Sequence, residues 1–586
     1  MCVTTYRLDC DKIENMKVDQ FTKVDLLPAL VNTPNDSIDA VVIISGSLEL
    51  DDLSTIESYL DECVRILKNR GLFFLQGRPD YLPELGVYLN RRLTFKYWIA
   101  IDSTIHYPTA GLPSAHAAVL LFVKGNDRFE VNKVRFNHEF CTYCGRSLRD
   151  WGGKSHLMHP DGYAISDIWK NLPAANNYSQ ISIVALDTIL KMVPAESSSQ
   201  EAGNLLIDST PIAALKKRVL VIPSEGVAST SKYVAEQAIQ YHLPGFESPI
   251  RRPPTKPSLE KGLWNVVHHG DILQVLREYP DESIDLAFAD PPYNLDKAYT
   301  VYNDELSGEA YLNWCNSWLE EYVRVLKPTG SLFVLNLPRW TMYHASFLNK
   351  HLFFQNWIVW DALSEPRGKI MPAHYGLLFY TKSRSGFTCN YDQIGEIDSS
   401  RYCLRTSCIH KRKLAGEDTK EVLTDIWWDI HRLKHRRDRD YHPCQLPDAL
   451  MERIIRLTTN EGDIVLDALA GAGTTAVVSA RLGRRYVAVE IDDTYVEIIK
   501  QKLAQVEDRG YVQRQSTIRP QAKYKKKDLQ LELRDIASRL GHLPTQEDVR
   551  KLSKYGLEAF FETFPSWGKA LKAAKLEVKN DGIRSA

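Results

Sequence analysis

Short apolar runs alternate with amphipathic patterns along most of the chain. Residues 286–289 (LAFA) and 331–335 (SLFVL) are too short for helices and read as buried strands, and 115–123 reads the same way. Residues 311–326 place apolar side chains at helical spacing. Such alternation predicts an α/β protein whose parallel sheet is covered on both faces. The plan occurs twice. PNDSIDAVVIISGS (34–47) matches PDESIDLAFADPPY (280–293), 246 positions apart. Further on, VRILKNRGLFF matches VRVLKPTGSLF, and Trp98 matches Trp357 at 259 positions. SDIW (166–169) matches TDIW (424–427), and Ile207-Asp208 matches Leu466-Asp467. The change in offset falls just after DPPY, so the first copy lacks a loop there.

A length of 586 residues predicts two to four domains. With 44% hydrophobic and 25% charged residues the balance is that of a globular protein, not a collagen-like or disordered one. No apolar run reaches the ~18 residues of a membrane span, and the start lacks a signal-peptide pattern, so a cytoplasmic protein without membrane partners is expected. Ten cysteines in such a chain do not suggest a disulfide framework. Net charge is −1, so only local charge can speak for nucleic acid. Residues 244–261, rich in proline and arginine, read as a linker. Residues 511–527 are basic without an acid, and a helical module follows over 528–580.

Two motifs carry chemistry. Asp290-Pro291-Pro292-Tyr293 follows an apolar strand. Prolines remove backbone donors and leave carbonyl acceptors, which beside a carboxylate can take both hydrogens of an exocyclic amino group, while the tyrosine offers a stacking face. A plain proline turn fits the same residues. The second motif is VLDALAGAGTTAVVSARLGRRYVAVEID. Strand IVLD ends at Asp467, Gly471 and Gly473 open a helix, and the next strand ends in Glu490. Glycines permit close backbone approach, and a carboxylate at the next strand end suits ribose hydroxyls. This second motif holds no Gly-Lys-Ser/Thr, which argues against a triphosphate loop there.

Taken together, with HHGDILQVL before the first motif and HPCQLP (442–447) before the second, residues 262–507 resemble the S-adenosylmethionine-dependent DNA amino-methyltransferases whose catalytic motif precedes the cofactor loop. The resemblance implies two tandem Rossmann-like methyltransferase folds, the first degenerate, plus a small all-α C-terminal domain. It implies catalysis by Asp290, Pro291, Pro292 and Tyr293, and S-adenosylmethionine held by Asp467, Ala470, Gly471, Gly473, Thr474 and Glu490, with Asp271 near its adenine. Leu469 stands where the family has phenylalanine, and Leu446 where it has lysine. The implied reaction is methyl transfer to adenine N6 in a base flipped from duplex DNA. N4 of cytosine, an RNA substrate, and a non-catalytic DNA-binding regulator are the alternatives. A restriction-modification setting with a separate endonuclease is compatible.

The first copy reads Ile44-Ser45-Gly46-Ser47 at the DPPY position and has no glycine loop after Asp208, so residues 1–243 are expected to be inactive and to form an intramolecular pseudo-dimer with 262–510. Cys141, Cys144, His156 and His159 have a spacing that fits four zinc ligands, and equally two ordinary cysteines and two loop histidines. Cys403, Cys408 and His410 lack such spacing and are weaker zinc candidates. Target recognition is expected within 383–440, with phosphate contacts from Lys411, Arg412, Lys413, Arg436 and Arg437 beside Trp427 and Trp428, and further contacts from Lys525, Lys526 and Lys527. The tail resembles the helical repeat attached to homing endonucleases: Pro544-Thr545-x-x-Asp548 starts a helix, and Trp567, Leu571 and Ala574 share one face. Its basic charge points to an accessory DNA binder, with a protein-docking bundle as the rival reading.

Overall fold

The computed structural model describes residues 16–20, 26–45, 53–107, 111–125, 130–148, 158–170, 172, 180–194, 217–222, 227–228, 262–294, 306–362, 369–394, 396–432, 445–510, 526–564 and 566–576. Fifteen strands form its two large sheets. The first holds β1 (Met16–Gln20), β2 (Ile38–Ile44), β3 (Leu67–Gly77), β4 (Thr94–Tyr107), β5 (Ser114–Val123), β6 (Ile168–Trp169) and β7 (Lys217–Ile222). The second holds β8 (Val266–His269), β9 (Ile284–Ala289), β10 (Leu326–Asn336), β11 (Phe353–Trp360), β12 (Tyr375–Thr381), β13 (Ile426–Trp427), β14 (Ile464–Asp467) and β15 (Arg485–Glu490).

The strand orders are β1-β7-β2-β3-β5-β4-β6 and β8-β15-β14-β9-β10-β12-β11-β13. The expected parallel sheets are mixed. β5 and β12 run antiparallel to both of their neighbours, and the other pairs are parallel. The connection 108–113 between β4 and β5 is too short for a parallel crossover, so the chain must return beside itself. Val219, Leu220 and Val221 of β7 pair with Ala40, Val41 and Val42, as Val465, Leu466 and Asp467 of β14 pair with Leu286, Ala287 and Phe288. By register, therefore, Val221 takes the place in the first sheet that Asp467 takes in the second. This corrects the match of Ile207-Asp208 to Leu466-Asp467; those two residues lie outside the described set, as does the linker 244–261.

Central strands are buried on both faces, and so are nearly uniformly apolar; β9, IDLAFA, is buried throughout. The helix Gly308–Val325 buries one stripe of Tyr311, Cys315, Trp318, Leu319, Tyr322 and Val325 against its sheet. Ser307 starts it by accepting the Ala310 N–H, and β10 follows directly.

The halves share one core. The helices Leu82–Leu89 and Pro338–Leu348 pack so closely that a Cβ on Gly86 would collide with Met342 Sδ. Beside them the buried rings of Trp98 and Trp357 stack at 3.7 Å and 8°. Two polar crossings repeat the arrangement. Asp425 accepts from Ala115 N (2.7 Å) and lies 3.3 Å from His116 Nδ1. Asp167 accepts from Ala373 N (2.8 Å) and lies 3.2 Å from His374 Nδ1. All four side chains are buried.

A separate helical core closes around Leu533, Ile536, Phe560, Phe564 and Ala574, with Trp567 and Leu571 packed at its edge. Thr545 and Asp548 cap the helix Gln546–Leu552 reciprocally. The module begins at Lys526, within the stretch assigned to the basic linker. Among the described residues no helix is long and apolar enough to cross a membrane.

Candidate active site

β9 delivers Asp290 at its C-terminal end, in the crevice where open α/β sheets bind ligands. Tyr293 folds back so that its Oη donates to Asp290 Oδ1 at 2.7 Å, and its ring, 4% exposed, leans on Tyr375 at 5.6 Å. The motif's carbonyls are sorted. Tyr311 Oη donates to Pro292 O (2.6 Å) and Trp340 Nε1 to Tyr293 O (3.0 Å). The Pro291 carbonyl takes no hydrogen bond from the described residues. Asn294, at φ +52°, uses its amide to bind Leu306 N and O (2.9 and 2.8 Å).

Behind these contacts is a network that sequence reasoning missed. Asn336 Nδ2 reaches Tyr311 Oη (2.9 Å) and His344 Nε2 (3.1 Å). Burial alone lowers the His344 pKa to about 3, so the ring is neutral at ordinary pH. Tyr311 and Trp340 read as core positions of helices. The available signal was Asn336, a polar residue ending an otherwise apolar strand, as Asp290 and Glu490 do.

The glycine loop lies one strand away. Gly471 and Gly473 sit at φ +51° and +77°, and a Cβ on Gly473 would come 2.5 Å from Ile499. Glu490 receives Gly471 N at one oxygen (2.7 Å) and Ile491 N and Asp492 N at the other (2.9 and 3.0 Å). Burial raises its pKa, and the N–H donors partly offset that. Asp467 supports the loop from behind, taking Thr475 Oγ1 (2.5 Å) and Leu469 N (3.1 Å); burial raises its pKa to about 6. Thr474 Oγ1 reaches Leu446 O at 3.5 Å. Asp271 caps the helix Ile272–Leu276 through Leu273 N and Gln274 N, and β8 pairs His269 with Glu490, so both carboxylates share one end of the sheet. Two further residues had no motif signal. Lys502 Nζ binds Ala472 O at 2.6 Å while 8% exposed. Tyr322 Oη donates to Phe288 O (3.0 Å) and accepts from Ala468 N (2.9 Å), tying the end of β9 to the start of the loop.

Several expected contacts are rearranged. Lys411 and Lys413 are exposed on the helix Thr406–Ala415, but Arg412 is fully buried, its guanidinium 4.1 Å over the Tyr402 ring, so it is no phosphate contact. A helix turns 100° per residue, so three adjacent cations point in three different directions and one of them can face the core while the other two meet solvent. Trp427 is likewise buried, under Arg453. Lys526 and Lys527 are exposed, whereas Arg436, Arg437 and Lys525 lie outside the described residues. Cys141 and Cys144 meet Cys403 and Cys408 of the other half, and His159 is not among the grouped ligands. His159 is exposed, its Nδ1 accepting from Asp161 N, and His156 lies outside the described residues.

Comparison with known proteins agrees with this geometry. A family model described as DNA methylase matches residues 284–501, and one described as homing endonuclease associated repeat matches 524–577. Type II methyltransferase M.BamHI of Bacillus amyloliquefaciens is 38% identical over 243 residues, which are 40% of this chain and 56% of that protein. Type II methyltransferase M.HpaI of Haemophilus parainfluenzae is 34% identical over 236 residues, 39% of this chain and 71% of that one. DNA adenine methyltransferase YhdJ of Escherichia coli is 31% identical over 236 residues, 39% and 79% respectively. The chain thus spans little more than half of M.BamHI but over two thirds of the other two, and the matched family segment contains both the DPPY turn and the glycine loop. On that ground, the chain belongs to the S-adenosylmethionine-dependent N6/N4 DNA methylase family.

Proposed function

We propose that residues 262–510 transfer the methyl group of S-adenosylmethionine to N6 of adenine in duplex DNA. The observation that carries this reading is the Tyr322 bridge, which holds the strand bearing Asp290 against the start of the Gly471–Gly473 loop. The loop fits the cofactor: positive-φ glycines leave its backbone open to close approach, and Glu490 and Asp271 offer carboxylates at the same sheet end. Bound there, the cofactor supplies an electrophilic sulfonium methyl.

The protein's own task is to make a poor nucleophile competent. Delocalisation into the ring weakens an adenine amino group. Asp290 and the Pro291 carbonyl accept its two N–H hydrogens, which localises the nitrogen lone pair and directs it. The Tyr293 hydroxyl fixes the Asp290 rotamer, and its ring supplies the stacking surface for a base taken out of the duplex. Tyr311 and Trp340 keep the neighbouring carbonyls turned away, so acceptance falls to Pro291. After transfer the nitrogen sheds one proton, with Asp290 the adjacent acceptor. The adenine preference is supported by the likeness to YhdJ.

The first half, 1–243, is proposed as a degenerate copy joined by the linker 244–261, giving an intramolecular pseudo-dimer. Matching strand order around β2 and β9 supports this, as do Ile44 and Val221 standing in register where the second half has Asp290 and Asp467. Lys411 and Lys413 within 383–440, and the helical module with Lys526 and Lys527, are the proposed DNA contacts. A separate endonuclease would complete a restriction-modification pair.

Methyl transfer from labelled S-adenosylmethionine to unmethylated duplex DNA, with nucleosides separated by mass, tests the reading. N6-methyladenine that disappears in Asp290→Ala is expected. N4-methylcytosine would overturn the base assignment, product on RNA alone the substrate, and no product despite cofactor binding the reaction.

A further inference from the structure

Four thiols from distant parts of the chain converge where the halves meet. Cys141 and Cys144 lie on a tight turn closed by the bridge between Phe140 and Ser147, and Cys403 and Cys408 flank the start of the helix Thr406–Ala415. Their sulfurs all lie within 4.8 Å of one another, with Cys141 Sγ–Cys408 Sγ at 3.8 Å and Cys144 Sγ–Cys403 Sγ at 3.6 Å. Four thiolates around one zinc at about 2.3 Å would have tetrahedral edges of about 3.8 Å. A disulfide needs about 2.05 Å and joins only two sulfurs. Each close pair, moreover, takes one cysteine from each half.

The surrounding backbone is built for a metal. Cys141 N donates to Arg146 O (2.7 Å), and Gly145, at φ +67°, donates to Cys141 O (2.8 Å). Backbone N–H groups of Cys403, Cys144 and Tyr143 lie near Cys141 Sγ. Donors to sulfur spread the excess negative charge that four thiolates place around a divalent ion. Thr142 N also donates to Arg401 O (3.1 Å), and Arg405 Nη2 to Ser147 O (3.0 Å), so the two walls are hydrogen-bonded to each other.

We propose that Cys141, Cys144, Cys403 and Cys408 bind one zinc ion as a closed tetrathiolate clasp between the two halves. Four protein ligands leave no open position, which makes the site structural. The clasp seats the helix whose exposed face carries Lys411 and Lys413, and it does not depend on the proposed methyl-transfer chemistry.

The full chain, purified without immobilised metal or chelator, is expected to contain one zinc per molecule by inductively coupled plasma mass spectrometry. Exchange with cobalt should give the intense visible bands of tetrahedral thiolate coordination. The double variant Cys144→Ser/Cys403→Ser should lose the metal, and His156→Ala/His159→Ala should keep it. Removing zinc from the wild type with chelator should lower the melting temperature by several degrees. Zinc-free wild type with four reactive native thiols would overturn the site, as would zinc retained by the cysteine variant, zinc lost from the histidine variant, or iron in its place. An unchanged melting temperature after removal would overturn the clasp.

Discussion

The two sheets place side chains in matching positions and do opposite things with them. Where β9 ends, Asp290 projects into a crevice with Tyr293 and the Trp340 indole around it. Where β2 ends, register puts Ile44 in that place, and Ser45 fills the space instead. The Ser45 hydroxyl, fully buried, donates to Gln76 O (2.6 Å) and meets Tyr81 Oη at 3.1 Å. Gly77 makes room, since a Cβ there would come 2.5 Å from Ser45 Oγ. Its counterpart on β10 is Asn336, which reaches Tyr311 and His344. The contact surfaces, by contrast, are alike: Trp98 stacks on Trp357, and each half sends an aspartate to the other's histidine. The two halves thus differ at a few strand ends, while the contacts that build their shared core match.

Removing Asp290 should have the largest effect. Asp290→Ala takes away the carboxylate that polarises the amino group, with transfer expected to fall at least about 10³-fold. Cofactor affinity, measured by calorimetry, should stay within a few-fold, because the loop contacts are untouched. The reverse change, Ile44→Asp, should add no activity, because Glu225 and Val227 follow Val221 at the spacing at which Gly471 and Gly473 follow Asp467.

The shared framework gives the opposite expectation. Asp425→Ala strips Ala115 N, Ser114 Oγ and His116 of their buried partner, and Asp167→Ala does the same to Ala373 N and His374. Each should cost about 1–3 kcal/mol in thermal unfolding, the cost of leaving buried donors without an acceptor. Near-equal losses are expected although only one aspartate belongs to the half with the DPPY turn. A loss confined to Asp425 would break the comparison.

Gly473→Ala acts on a smaller scale. It would force a side chain into φ +77° and against Ile499, so cofactor affinity should drop about 10- to 100-fold with folding largely intact. Binding at wild-type strength would remove the loop from the cofactor site.

How much of this was legible depended on whether a function left a local mark. DPPY and the two glycines are consecutive residues whose conformations need prolines and hydrogen side chains, so they showed in the sequence, as did the paired Trp98 and Trp357. Tyr322, Lys502 and Trp340 act through long-range hydrogen bonds from helices, and nothing around them departs from a core pattern. The cysteines show the limit most plainly. Cys141 and Cys144 suggested a metal, but the ligands that meet them among the described residues, Cys403 and Cys408, lie more than 250 positions further along the chain and not at His159. Arg412 failed for a related reason, since a run of cations has no face until its helix is packed.

The smallest predicted effect sharpens the contrast between Asp467 and Val221, which stand in register in the two sheets. Burial raises the Asp467 pKa from 3.8 to about 6, against the opposing hydrogen bonds from Thr475 and Leu469. The folded state therefore holds this proton more tightly than the unfolded chain. Between pH 4 and 6 folding takes up a proton here, so the contribution of Asp467 to stability falls as pH rises through that window and stays low above it. A shift of this size amounts to about 1–3 kcal/mol. Asp467→Asn keeps a hydrogen-bonding group of the same shape without a titration. Compared by thermal unfolding at pH 4.5 and 7, the variant should gain on the wild type at the higher pH, while a Val221→Asn control changes by the same amount at both. A wild-type-to-variant difference that does not move with pH would mean that Asp467 is charged and solvated, and that the loop is held open by something other than a buried carboxyl.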